Sequence, residues 1–440
     1  MVVTIVVLLI LAGVSISLLL DENGIIKKSK DARREYGQAK ANEQEQMDNA
    51  EDWIDEAVTG KVPLVKVPVG TKASKNGTIN GEAGNSNNPT IPKGYIPIDT
   101  ATSTWGDGNS APSQDSVNHG LVIKDEKNNE WVWVPVDSTT LATMYEESSD
   151  EKTLCGTTGE TAVKTKLYSK SITIGTDSNK TTMTRTTPGT STSDSYREPD
   201  LVVGSKGTSY DAIDTYYKTI LGETGTKEQL AELFVDEYKA MIESVSKYGG
   251  FYIGRYELSE AGVQKDKATL TSTNWYNLYN VCRNSKLQAS DKVKTQMIWG
   301  CQWDVTMNWL ISSGAKTSDE VNKDSSSWGN YYGTSVKADG GKTELKASGT
   351  RAKLNTGKTT FTMANNIYDL AGNCYEWTQE ANYAHNRASR GGSYGGNGSS
   401  YPASYRNFIS SSDSSDYDYL RFSSHFNNKI ILDSRAWAPV

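Results

Sequence analysis

The chain has 440 residues, a formal net charge of −7 and a mean hydropathy of −0.58, which together exclude a polytopic membrane protein. Eleven Trp, 24 Tyr and 38 Gly exclude general disorder, because disordered chains are poor in aromatics. The acidic balance gives nucleic acid no electrostatic footing, and the length predicts two or three domains. His119, His385 and His425 fit no metal-ligand spacing, and Cys155, Cys282, Cys301 and Cys374 form no CxxC pair. No metal and no cofactor is therefore expected.

Residues 1–20 carry no charge and are nearly all Val, Ile, Leu, Ala, Gly and Ser. As a helix they would span about 30 Å, the thickness of a bilayer's hydrocarbon core. From Ile25 to Val58 the pattern turns amphipathic: Tyr36, Ala39, Met47, Ala50, Ile54 and Val58 recur at helical spacing, with charge opposite. The whole of 1–58 is thus predicted as one long α-helix, hydrophobic and then amphipathic. VVTIVVLLILAGVSISLLLDENGIIKKSKDA resembles the N-terminal helix of bacterial type IV pilins and pseudopilins. In that family the hydrophobic half holds the subunit in the membrane and later packs in the filament core. The family's leader, cleavage-site glycine and early glutamate do not occur in this run. Two readings stand: a sequence taken from an internal start, or a plain anchor. The resemblance implies pilin subunits or the membrane as partners of 1–58, and a cell-surface or pilus location.

Residues 59–116 read as a linker with short strands, such as 62–69. In 120–136, GLVIKDEKNNEWVWVPV, two alternating stretches flank Lys127-Asn128-Asn129 and predict a hairpin. Ser and Thr dominate about 148–226, which reads as an insertion or loop-rich subdomain. Leu230, Leu233, Phe234, Tyr238, Met241, Ile242 and Val245 hold helical spacing up to a stop at Gly249-Gly250. FYIGRYE at 251–257 predicts an aromatic strand. In 299–310, Trp303, Met307 and Leu310 share one face of a second core helix. NIYDLAGNCYEWT at 366–378 predicts a turn through Ala371-Gly372-Asn373 followed by a Trp-bearing strand.

WVWVPV, GGFYIGRYE, NIYDLAGNCYEWT and RGGSY (390–394), in this order, resemble the formylglycine-generating-enzyme branch of the C-type lectin fold. The resemblance implies an α+β, C-type lectin-like domain over 117–440, preceded by the long pilin-like helix. It does not carry the activity across. Oxidase members of that branch bind copper through a cysteine pair near the chain's end, and no cysteine follows Cys374 here. Cys374 stands where a small apolar residue is usual and reads as a buried small hydrophobe. Asp304, Asp369 and Glu376 sit in scaffold blocks and read as hydrogen-bonded structure, so no catalysis is expected. Glu198-Pro199-Asp200 is similar to the sugar motif of calcium-dependent lectins. It lies inside the insertion without that motif's companion WND, and is read as a chance match.

The segment 381–428 differs from the rest. Lys, Glu, Gln, Met and Trp make up 88 of the 440 residues, one in five, yet none occurs in these 48. What remains is reachable from an Asn codon whose two adenines are replaced, since codons ending in C or T encode none of those five. This signature after RGGSY resembles the variable region of proteins diversified by retroelements, in which a reverse transcriptase miscopies template adenines. Pro402, Ala403 and Arg406 read as framework between mutable sites, and Tyr419-Leu420-Arg421-Phe422 replaces the family's closing Gly-Phe-Arg strand. The Tyr, Ser, Gly and Asn content is that of antibody paratopes. The expected ligand-binding residues are Tyr394, Asn397, Ser399, Ser400, Tyr401, Tyr405, Asn407, Phe408, Ile409, Ser410, Ser412, Asp413, Ser415, Asp416, Tyr417 and Tyr419. Tyr394, Tyr401, Tyr405, Phe408, Tyr417 and Tyr419 are taken as exposed anchors. The expectation is a surface-displayed, hypervariable receptor or adhesin whose ligand is a protein or cell-surface molecule. The alternatives are a structural pilus subunit, or an oxidoreductase homologue that has lost its catalytic cysteines.

Overall fold

The computed structural model describes residues 64–65, 80–81, 89, 91, 95–98, 119–155, 162–170, 172–176, 182–185, 195–200, 217–283, 293–382, 386–410, 426–427 and 430–433. The chain divides into two compact units, Met1–Lys61 and Val62–Val440. The first, with the helix expected over 1–58, lies outside the described residues, as does most of 59–116. Among the described residues no helix is long and apolar enough to cross a membrane.

The second unit mixes helices with mostly antiparallel sheets. Three two-stranded ribbons apart (Leu64–Val65 with Asn80–Gly81, Val336–Lys337 with Glu344–Lys346, Met363–Ala364 with Ile367–Tyr368), its described strands and main helices run β1 (Tyr95–Ile98), β2 (Val122–Asp125), β3 (Glu130–Pro135), β4 (Tyr145–Cys155), β5 (Val163–Ser169), β6 (Ile172–Thr176), β7 (Thr182–Arg185), β8 (Ser195–Tyr196), α1 (Lys227–Tyr248), β9 (Gly250–Gly254), α2 (Trp275–Cys282), β10 (Lys294–Met297), α3 (Gly300–Ser312), β11 (Tyr375–Asn382), β12 (Asn386–Arg390), β13 (Arg406–Ser410), β14 (Phe426–Asn427) and β15 (Ile430–Asp433). Six strands form the central sheet in the order β10-β15-β9-β3-β2-β1, all pairs antiparallel. Four form a second sheet in the order β13-β12-β11-β14, in which only β11 and β14 are parallel.

Local sequence accounts for the joints. Between β2 and β3 the Asp125 carboxylate accepts hydrogen bonds from the backbone N–H of Lys127 (2.9 Å) and Asn129 (2.8 Å), while Asn128 takes the left-handed φ of 66° that Asn tolerates. Helix α1 opens on a capping box, with Gln229 N donating to Thr226 Oγ1 at 3.2 Å and Thr226 N to Gln229 Oε1 at 3.0 Å. It stops at Gly249, whose φ of 71° is the left-handed cap that glycine adopts without a steric penalty.

Strand periodicity sets the packing. In WVWVPV the tryptophans point one way and the valines the other. Trp131, Trp133, Ile123, Tyr95 and Tyr252 enter one core with Trp275, Tyr276, Leu278 and Tyr279 of α2. Val132, Val134, Val122, Phe251 and Ile253 enter the other with Cys301, Trp303, Val305, Met307 and Leu310 of α3. Helix α1 serves both, through Leu230 and Phe234 on one side and Tyr238, Met241, Ile242 and Val245 on the other. Each fully buried side chain of this size contributes about 1.5–3 kcal/mol. Sheet and helices are thereby fixed as one scaffold.

One expectation is corrected, and another gains detail. The strand over 251–257 ends its pairing at Gly254; Arg255 turns aside to bond Glu130 Oε2 at 2.7 Å, and Glu257 is buried against Thr269, Asn373 and Cys374. The described part of the Ser/Thr-rich stretch, read as an insertion or loop-rich subdomain, holds strands. Strands β4 and β5 form a ribbon, and β8-β7-β6 form a small sheet. Val163 and Thr165 are buried while Lys164 and Lys166 are exposed, a two-residue alternation that Thr supports as a β-branched residue. Val163, with partly buried Leu154, packs on Ala231 and Val235 of α1. Farther on, Arg197 exchanges both backbone hydrogen bonds with Ala381, at 2.9 and 3.1 Å.

Candidate ligand-binding loop

Strands β12 and β13 pair in register from Asn386 opposite Ser410 to Arg390 opposite Arg406. That last pair places two guanidiniums side by side in the interior, an arrangement that repels unless it is compensated. Asp304 and Glu380 compensate it. Asp304 meets Arg390 at 2.6 Å and Arg406 at 2.8 Å; Glu380 meets Arg406 at 2.8 Å and Arg390 at 3.3 Å. All four are buried, and two positive charges balance two negative ones. Burial opposes the charge on Arg406, but Asp304 and Glu380 outweigh it and hold its pKa above the ordinary value.

The same hairpin is braced from the side by the 197–200 stretch. The Glu198 carboxylate is buried and accepts from the backbone N–H of Gly300 and of Cys301 (3.1 Å), capping the positive end of α3. The carbonyl of Asp200 accepts from Arg387 at 2.9 Å, and Arg387 lies over the Trp275 ring at 4.3 Å. Tyr196 lies under Arg406 at 5.1 Å. The Glu-Pro-Asp triplet read as a chance match is therefore a structural wedge, and the Glu198 carboxylate is turned inward to the protein itself.

Between Arg390 and Arg406 runs the loop 391–405, whose backbone is bonded to the scaffold along its length. Gly391 O accepts from Gly372 N (2.8 Å) and Tyr394 N donates to Asn373 O (2.9 Å). Gly396 O accepts from Tyr332 N (2.8 Å), Gly398 O from Ser325 N (3.3 Å), and Ser404 N donates to Val321 O (3.1 Å). Ala403 is held at both ends, its N–H on Ser325 Oγ (2.9 Å) and its carbonyl on Trp303 Nε1 (3.1 Å). The buried Tyr331 hydroxyl lies 2.9 Å from the Gly391 carbonyl oxygen and 2.8 Å from that of Tyr401, and shares its one proton between them. Gly392, at φ 80°, passes so close beneath Tyr401 that a Cβ would overlap the Tyr401 carbonyl oxygen. Mainly backbone groups and framework side chains make these bonds, so loop side chains can change without removing them.

The expected site residues divide accordingly. Asn397 is exposed, and Tyr394, Ser399, Ser400, Tyr401 and Asn407 are partly exposed. Tyr405 and Ile409 are corrections: they are 1% and 7% exposed and belong to the core beside the second sheet. The Tyr405 ring packs edge-on to Tyr401 at 4.9 Å and lies 6.3 Å from Tyr375. Tyr405 precedes β13 and is turned inward by packing on Tyr401 and Tyr375, and Ile409 enters the same core from β13, directions that composition does not report. Phe408 and Ser410 are placed in β13, with their side chains outside the description. Ser412, Asp413, Ser415, Asp416, Tyr417 and Tyr419 lie outside the described residues, as do His385 and His425. Pro402, Ala403 and Arg406, expected as framework, are all buried. At the end of the segment β14 returns beside β11, and after it β15 enters the central sheet between β10 and β9.

Sequence reading missed two residues beside the loop. Tyr332 is the one exposed large hydrophobic residue among those described, at 37%, and exposed Arg351 lies over its ring at 4.8 Å. Both come from 332–351, far from the biased segment, and no compositional signal marks them. Of the scaffold residues, Asp369 accepts from Thr356 Oγ1 (2.9 Å) and Gly357 N (2.8 Å), and Cys374 is buried, its thiol pushed up in pKa by that burial. Among the described residues no group of His, Cys, Asp and Glu could hold a metal ion.

No protein-family model matches the chain, and no curated protein matches it. Among solved structures it is similar to Treponema denticola variable protein 1, with 12% identity over 70% of this chain and 96% of that chain, at a TM-score of 0.21.

Proposed function

We propose that this protein is a hypervariable ligand-binding receptor or adhesin, diversified by a retroelement and displayed at the cell surface or on a pilus through residues 1–58. The reading includes a C-type lectin-like arrangement for the second unit and recognition, not catalysis, as its mechanism. The observation that carries it is the loop 391–405, whose backbone is bonded to fixed residues while Tyr394, Asn397, Ser399, Ser400 and Tyr401 reach the surface. A binding surface under diversification needs this division, since each new side chain must leave the fold intact. The same span lies within the 48 residues free of Lys, Glu, Gln, Met and Trp, the residue types that adenine-directed changes of Asn codons do not produce. The solved neighbour's name, variable protein, agrees with this reading, which stands on the loop and not on that likeness.

The test is to sequence the codons for 381–428 across many cells of the source population, with the flanking DNA. Substitutions confined to adenines of a nearby near-copy, beside a reverse-transcriptase gene, are expected, concentrated at Asn397, Ser399 and Ser400 and sparse at Ala403 and Arg406. An invariant segment without a nearby template would sink the proposal.

A further inference from the structure

The loop does not face solvent alone. Tyr332 N donates to Gly396 O at 2.8 Å, and Arg351 Nε donates to Gly395 O at 3.4 Å, so both are tied to the loop's outer turn. A Cβ at exposed Gly333 would lie 3.5 Å from Asn397 Oδ1, which puts the most exposed variable side chain beside this pair. The Arg351 guanidinium lies over the Tyr332 ring and has no ion pair among the described residues. A second cation lies behind it. Lys346 is buried, and its Nζ bonds the carbonyls of Tyr331 (2.5 Å) and Thr350 (3.3 Å), the residues just before Tyr332 and Arg351; no carboxylate pairs with it among the described residues. Neither cation thus has an ion pair among the described residues, in a chain whose net charge is −7.

From this placement we infer that Arg351 and Tyr332 form a fixed anchor at the edge of the variable loop, which takes a carboxylate presented by a protein partner. The inference rests on the receptor reading and specifies its partner. A guanidinium held over a ring and tied through its Nε has its fork pre-organised, so little rotamer freedom remains to be lost when a carboxylate binds it bidentately. With Nε bonded to Gly395 O, the terminal nitrogens of this exposed side chain are the groups left for a ligand. Arg and Tyr are also the side chains over-represented where single residues dominate protein–protein affinity. The chemistry divides between the two parts: the pair supplies a constant charge contact, and the loop beside it supplies what differs from one variant to the next.

The experiment pans a phage-displayed random dodecapeptide library on the full chain and, in parallel, on its Arg351→Gln variant. Peptides enriched on the wild type are expected to carry an excess of Asp and Glu over the unselected library. Their affinity is expected to fall about tenfold or more in Arg351→Gln, with partial recovery in Arg351→Lys, which keeps the charge but loses the fork. Equal enrichment on both proteins, no acidic excess, or affinities within about twofold would overturn the anchor. Arg351 is exposed, so these variants leave the fold intact. Asn397→Trp and Ser399→Trp separate the two proposals. If they leave binding unchanged while Arg351→Gln abolishes it, the anchor stands and the variable-loop reading fails. If the loop variants alone weaken binding, the loop reading stands and the anchor fails.

Discussion

The base and the tip of the β12–β13 hairpin are a few residues apart in sequence and differ in what they tolerate. At the base, Arg390 and Arg406 lie opposite each other, and only Asp304 and Glu380 make that geometry possible. At the tip, Asn397, Ser399 and Ser400 reach the surface from a backbone that framework residues hold. The base therefore carries specificity of structure and the tip carries freedom of side chain. A buried charge square is a costly way to join strands, since an apolar pair of similar volume often serves as well or better. In return, wrong pairings of these strands leave charges uncompensated.

The largest effect should come from the base. Asp304→Ala leaves two guanidiniums sharing Glu380, and chemical denaturation should show a loss of about 3–5 kcal/mol, the cost of an orphaned buried charge. A loss below about 1 kcal/mol would mean that the square does not hold the strands. Next comes a contrast inside the biased segment itself. Tyr405→Ala should cost about 3–5 kcal/mol because the ring is buried, whereas Ser399→Tyr should stay within about 0.5 kcal/mol. Similar costs at the two positions would erase the distinction between base and tip.

Smaller still is the expected effect of Gly392→Ala, about 1–3 kcal/mol, from its positive φ and the overlap of the new Cβ with the Tyr401 carbonyl. Thermal melts of the variant should also show reduced ligand binding, since the loop must shift to admit the methyl group. The smallest effect concerns the short helix Ser318–Asn322, on which Ser404 and Ser325 rest. The Thr317 backbone N–H beside Glu320 lowers that carboxyl's pKa below its ordinary value of 4.5. Its contribution to stability is present above 4.5 and is lost as the pH falls through the depressed folded value. Glu320→Gln should flatten this part of the acid dependence while changing neutral stability by less than about 0.5 kcal/mol, because Gln can still accept at the cap. A variant with the wild type's acid slope would remove Glu320 from the account.

Much of the scaffold was legible. Alternation in WVWVPV predicts a strand with two different faces, and the structure fills one with Trp and the other with Val. The spacing of Leu230 to Val245 and the glycine after Tyr248 predict α1 and its stop, because helix periodicity and left-handed caps are local properties. Arg406 was legible as framework from its place among mutable positions. Its partners were not: Asp304 lies 102 residues away and Glu380 lies 26 residues away. The structural part of Glu198 was hidden for the same reason, since nothing near it in sequence shows that α3 begins over its carboxylate.

Composition by itself determined that a segment of unusual coding stands in a Trp-rich chain, and that its side chains are of the types common in antibody paratopes. Tertiary structure alone decided which of them face outward, because Tyr401 and Tyr405 are chemically alike and only packing into the core beside the second sheet buries the second. It also decided what stands beside them. Tyr332 and Arg351 reach the loop through a fold that brings 332–351 against 395–397, and contacts between segments so far apart leave no periodicity for a sequence to display.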